Sequence, residues 1–214
     1  MGGPILPDLP SPQLDDDNRF PRPSTVADGL GGPPTLDPAV VKAAKDAGCT
    51  VRAFGSEGRN HVPPAEEPDY GQAPPTSGNH FQVPAKWGVY DRPVPDMLAV
   101  HTLEHGGNIV YVGTKVPAAA RRALGEMWAA SPPFMVVAPG ASAGFPQAGV
   151  VVTSWQRWLV CKPFTAQKMA AVTAFRDAYR GTGPEGSAAL HAAGSVDFPG
   201  APEPIVEDPG AESG

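Results

Sequence analysis

The chain has 214 residues, a net charge of −6 and a sequence pI near 5.3, with 16 Lys and Arg against 22 Asp and Glu. That length suits one sizeable domain and not two comfortable ones. No run of Lys and Arg supplies a phosphate-tracking groove, and no stretch reaches the roughly 18 consecutive apolar residues of a membrane span, so neither nucleic acid nor a spanning segment is expected.

In chain order, residues 1–35 carry eight prolines and no apolar period, and read as a disordered leader. Asp37-Pro38 has the form of a helix start, Asp as N-cap and Pro at the first helical position, so a helix is expected over Pro38–Ala47 with Gly48 as its stop. Cys49–Phe54 alternates as a strand. Residues 55–95 form a long connection rich in Pro, Gly and Asp, stiffened by Tyr70, Phe81, Trp87 and Tyr90. Connections of that length inside a domain are more often functional than idle.

Asp96 as N-cap and Gly106-Gly107 as stop bracket a helix of about nine residues up to His105. Strands are expected over Asn108–Val112 and Phe134–Ala138, and one long strand over Gly149–Cys161, in which Trp155 and Trp158 face opposite sides. Helices are expected over Pro117–Ala130 and over Thr165–Tyr179, the latter capped by Thr165. The chain thus divides into a leader (1–35), one domain (36–185) and a disordered tail (186–214). The class is α+β: a small mixed or antiparallel sheet of about four strands, packed by about four helices, with a long Pro/Gly-rich loop.

Cys49 and Cys161 are the only cysteines and form no Cys-x-x-Cys pair. They read either as two buried thiols in a reducing compartment or as one disulfide, which we favour. Closing a loop of about 110 residues contributes roughly 4–5 kcal/mol in the chain-entropy model. A disulfide implies an extracytoplasmic protein, the alternative being cytoplasmic. Met1-Gly-Gly-Pro-Ile-Leu-Pro is no export signal, lacking a basic start and an apolar stretch.

The chemical signal is in the histidines. Four of the five, His61, His80, His101 and His105, fall between positions 61 and 105. On a helix, His101 and His105 share a face with Cβ atoms ~6 Å apart and reach one metal; on a strand they stand roughly 13 Å apart and do not. Met97 lies one turn earlier on nearly the same face, and a thioether there places copper slightly ahead of zinc. His61 and His80 supply further ligands from the loops, and Glu104 serves as ligand, as partner to an imidazole or as general base. A structural reading stands beside this one: His105 is favoured at a helix C-terminus by the dipole, His80 is a turn residue bonded to backbone, and His61 is a partly buried loop residue.

His101-Thr-Leu-Glu104-His105 also fits the inverted zinc-peptidase pattern, in which Glu activates a zinc-bound water. That chemistry needs a distant acidic ligand on another helix. The candidate, Glu185, lies at the start of the tail and on no predicted helix. There is no P-loop, G-x-G-x-x-G stretch or G-x-S-x-G elbow.

Taken together, Gly48-Cys49, Asn60-His61-Val62, Pro74-Pro-Thr-Ser-Gly-Asn-His80, Trp87-Gly-Val-Tyr-Asp91, His101–Gly107, Trp155–Cys161 and Pro184-Glu185 resemble the bacterial, largely actinobacterial, domain-of-unknown-function 3105 family. The resemblance spans about Gly48 to Glu185. It implies a secreted or membrane-anchored protein with an N-terminal spanning segment, a segment this chain does not show. It implies no activity. The expected function is therefore extracytoplasmic binding of a transition metal, copper or zinc, at His61, His80, His101, His105 and Met97. The alternatives are a metal-dependent hydrolase using Glu104 as base, and an envelope interaction module whose partner is a cell-envelope protein and whose histidines are structural.

Overall fold

In the computed structural model, the structure describes residues 31–132, 134–142, 144–185 and 201–207. The leader before 31 and most of the tail after 185 lie outside the described residues. Four α-helices occur among them: α1 (Pro38–Asp46), α2 (Asp96–Glu104), α3 (Ala118–Ala130) and α4 (Met169–Tyr179). The strands are β1 (Thr50–Ala53), β2 (Gly88–Val89), β3 (Asn108–Val112), β4 (Met135–Pro139), β5 (Val150–Ser154), β6 (Arg157–Cys161) and β7 (Val206–Glu207). They form one mixed sheet in the order β1-β6-β5-β3-β4-β2-β7. The α+β class and the four helices are as expected, but the sheet has seven strands where about four were foreseen.

One extra strand comes from a turn that periodicity does not reveal. The expected single strand 149–161 is a hairpin, with Ser154 opposite Arg157 and the chain reversing through Trp155 and Gln156. Gln156 sits at φ +60, held there because its N–H bonds to Thr76 O at 2.8 Å and its side-chain amide to Phe54 O at 3.0 Å. The turn resets the alternation, so Trp155 and Trp158 pack on the same face of the sheet and not on opposite ones. β2 is a two-residue strand inside the long connection, pairing parallel with β4. β7 arises within the tail read as disordered: Val206 and Glu207 add antiparallel to β2, whose free edge gives them backbone partners.

Asp37 caps α1 as expected, accepting from Ala39 N at 2.7 Å and Val40 N at 3.3 Å. Asp96 does not cap α2. Pro95 occupies the cap position and Asp96 is the first helical residue, where its charge faces the positive end of the helix. Thr165 caps nothing with its side chain either, and a short 3₁₀ turn (Ala166–Lys168) leads into α4.

The sheet separates two cores. Val110, Val112, Val137, Val150, Val152 and Leu159 face α1, α3 and α4, with Leu124, Trp128, Val172 and Phe175 filling the gap. Ile109, Tyr111, Val136, Ala138 and Val151 point the other way, toward α2 and the loop 55–95. Every residue of β3 is buried, as a strand covered on both faces must be. Cys49 and Cys161 form a disulfide with Cα atoms 4.5 Å apart. Thr50 pairs with Val160, so the cysteines are the next directly opposed residues, and 4.5 Å is the spacing of a non-hydrogen-bonded antiparallel pair.

Candidate metal centre

α2 supplies the heart of the site. All residues from Met97 to Glu104 are buried, which explains why the helix has no polar face for periodicity to detect. Thr102 fixes the loop against it, accepting from Ala85 N at 3.0 Å. His101 and Glu104 lie in its last turn, and His105 is its C-cap residue, just beyond it.

The loop histidines are brought to this turn by backbone pairing between two irregular segments. His61 and His80 form a parallel bridge, with His80 N bonded to Asn60 O at 3.0 Å and Val62 N to His80 O at 2.8 Å. Gly78 N bonds Gly58 O at 3.0 Å, Glu57 N bonds Ser77 Oγ at 3.0 Å, and Tyr70 donates to Asn79 O at 2.7 Å. Gly78 has φ +128, and a Cβ there would stand 2.8 Å from the Tyr70 ring, so only glycine fits. The ring centroids of His61, His80 and His101 are then 4.8 to 5.1 Å from one another.

The tautomers follow from the partners. His80 Nδ1 lies 2.8 Å from Gly78 O, and His101 Nδ1 lies 2.6 Å from Phe81 O. A carbonyl oxygen only accepts, so both Nδ1 atoms carry hydrogen and Nε2 is the atom each ring turns inward. His80 Nε2 is 2.9 Å from Glu104 Oε2, and His61 Nε2 is 4.0 Å from the same oxygen. Ligand atoms of His61, His80, His101 and Glu104 all lie within 4.8 Å of one another. Four ligands at about 2.0–2.1 Å from zinc are roughly 3.3 Å apart, so small side-chain movements close the shell. His80, His101 and Glu104 are buried, whereas the His61 side chain is 50% exposed and marks the open side.

Burial pushes His101 down to about 3, helped by the neighbouring His105 and His80 and opposed by its bond to Phe81 and by Glu104. Burial alone would raise Glu104, but its bond to His80 and the nearby His101 and Arg59 hold it below its ordinary value. The result is a neutral His101 imidazole near an ionised Glu104 carboxylate, the state a metal requires of its ligands.

His105 stands in a neighbouring group. Its Nε2 is 2.8 Å from His101 Nε2 and 3.3 Å from Glu185 Oε2, and ligand atoms of Glu104, His105 and Glu185 lie within 4.8 Å of one another. Glu185, on no helix, reaches the site on a short strap of turns after α4. Gly181 N bonds Gly106 O at 2.7 Å, and Glu185 N bonds Glu104 O at 3.2 Å. A Cβ on Gly183 would collide with Glu104 O and Gly106 N. The signal that could have found this strap is the packing of Gly106 against Gly181 and Gly183, three positions free of side chains.

Met97 is 6% exposed and belongs to the apolar cluster of this face with Phe81, Tyr90 and Leu103. Its place is in the core. His191 lies outside the described residues. No helix among the described residues is long and apolar enough to cross a membrane.

No curated protein and no solved structure matches this chain. The model of one family does match, over residues 61–191, a span that holds every histidine and carboxylate of the two groups. The chain belongs to that family, described as protein of unknown function DUF3105.

Proposed function

We propose that the protein binds a divalent transition metal ion, zinc or copper(II), through His61, His80, His101 and Glu104. The observation that carries this reading is the fixing of His80 and His101 by backbone carbonyls, which leaves Nε2 as the inward atom of both rings, in one group of candidate ligands with Glu104. A metal-binding histidine is oriented by such a bond to its other nitrogen. The contact of His80 Nε2 with Glu104 Oε2 is favourable only with a cation between them, a proton or a metal ion.

Imidazole and carboxylate donors suit zinc and copper(II) alike, and with Met97 in the apolar core the thioether argument for ranking copper first falls away. Glu104 acts as a ligand here, since its carboxylate faces His80, and not as a free general base. The disulfide supports placing the protein outside the reducing cytoplasm.

The test is metal content of tag-free protein after dialysis against Zn(II) or Cu(II), wild type beside a His80→Ala/His101→Ala variant. Retention of at least one equivalent by the wild type, lost in a variant with native circular dichroism, is the expected result. A wild type that retains neither ion overturns the reading.

A further inference from the structure

We propose that the cluster is a two-metal centre, in which Glu104 bridges the ion held by His61, His80 and His101 to a second ion held by His105 and Glu185. This rests on the single-ion reading above and extends it. The two groups of candidate ligands share Glu104 alone. A carboxylate has two oxygens, and those of Glu104 are divided: Oε2 faces His80 and His61, while Oε1 has Arg59 Nη1 at 3.9 Å. The His101–His105 contact of 2.8 Å joins the groups edge to edge. Two ions in adjacent groups of this kind stand about 3.5–4 Å apart, the separation at which paired metals clamp one oxygen ligand between them.

The second group is a built feature. His105 is 4% exposed, and Glu185 is carried to it by a strap that binds the end of α2 through two backbone hydrogen bonds and admits no side chain at Gly183. Nothing in the packing of the sheet requires this strap to end on a carboxylate. Glu104 and Glu185 offset two of the four charges of two divalent ions, so the second ion binds more weakly than the first. The guanidinium of Arg59, beside the same cluster, adds to that difference.

Copper(II) titration of the full chain, read by bound metal and by electron paramagnetic resonance, tests the proposal. The wild type is expected to take two equivalents, and the second addition replaces the isolated-copper signal with that of a magnetically coupled pair. Glu185→Gln, isosteric and partly exposed, is expected to take one equivalent with an uncoupled signal and unchanged circular dichroism. A wild type that saturates at one uncoupled equivalent overturns the two-metal centre and leaves the single-ion site standing. A wild type that takes none overturns both. A folded Glu185→Gln protein that still shows the coupled pair overturns the role given to Glu185. If that variant does not fold, the wild-type stoichiometry and coupling decide the matter alone.

Discussion

On one face of the sheet, α1, α3 and α4 bury Val40, Leu124, Trp128, Val172 and Phe175 against alternate residues of the central strands. On the other, α2 and the 55–95 loop bury His80, His101, Glu104 and His105 within a shell of aromatic and aliphatic side chains. The first face follows from hydrophobic burial, which is non-directional and proportional to area. The second keeps a carboxylate and three imidazoles out of water, at a cost in desolvation that only close partners offset. The difference suggests a division of labour: the helical face supplies stability, and the loop face spends some of it on a site.

The largest effect that would test this division comes from the disulfide, which lies at the helical face with Cys161 in its core. It joins residues separated by 112 positions, and replacing both cysteines by serine is expected to lower stability by roughly 4–5 kcal/mol. Urea unfolding measures the loss. Metal stoichiometry of the fraction that remains folded should be unchanged, because neither cysteine touches the cluster. A variant that stays folded yet loses its metal would show that the two faces are not separable.

How much of this was legible in the sequence divides along the same line. α1, α3 and α4 follow from an apolar stripe or a cap, since Asp37-Pro38 dictates a helix start wherever it sits. α2 was placed by its flanking Pro95 and Gly106-Gly107, although its cap is Pro95 and not Asp96. The hairpin at Trp155–Gln156 was missed because its turn residue at φ +60 is a glutamine held by tertiary hydrogen bonds, where local turn chemistry expects Gly or Asn. The histidine cluster was visible as a density of residues, but its composition was not. His61 and His80 meet through a bridge between two irregular loops, and Glu185 arrives on a strap whose only mark is its glycines. Helical spacing aligns Met97 with His101, and in the fold its side chain packs in the apolar cluster with Phe81, Tyr90 and Leu103.

A second measurement concerns the loop face without metal. His101 is held neutral down to about 3 in the fold, whereas the unfolded chain protonates it near 6.5. Between these values the unfolded state binds the extra proton, so stability falls as pH falls from about 6.5 toward 3, by roughly 1.4 kcal/mol per pH unit for this site. Glu104, lowered in the fold, adds a loss of the same sign once pH drops below its unfolded value. Burial, with His105 and His80, lowers His101 in the fold against its bond to Phe81 and the charge of Glu104, and together these set the pH window of the decline. Denaturant unfolding of the metal-free protein between pH 7 and pH 4 should show this decline, and His101→Asn should flatten it. An unchanged slope in that variant would mean that the acid sensitivity arises elsewhere.

The smallest expected effect isolates the helical face most cleanly. Asp37 caps α1 through its side chain, and its own backbone N–H bonds Tyr179 Oη at 2.8 Å, tying the start of the first helix to the end of the last. Asp37→Ala removes the cap and keeps the backbone bond, so about 1 kcal/mol of stability should be lost. Asp37→Asn should recover most of it, because the amide oxygen also accepts from the first-turn N–H groups. Neither change reaches α2, so metal affinity should match the wild type in both. Were Asp37→Ala to weaken metal binding at constant fold, the sheet between the faces would be transmitting strain, and the assignment of stability to one face and site to the other would have to be given up.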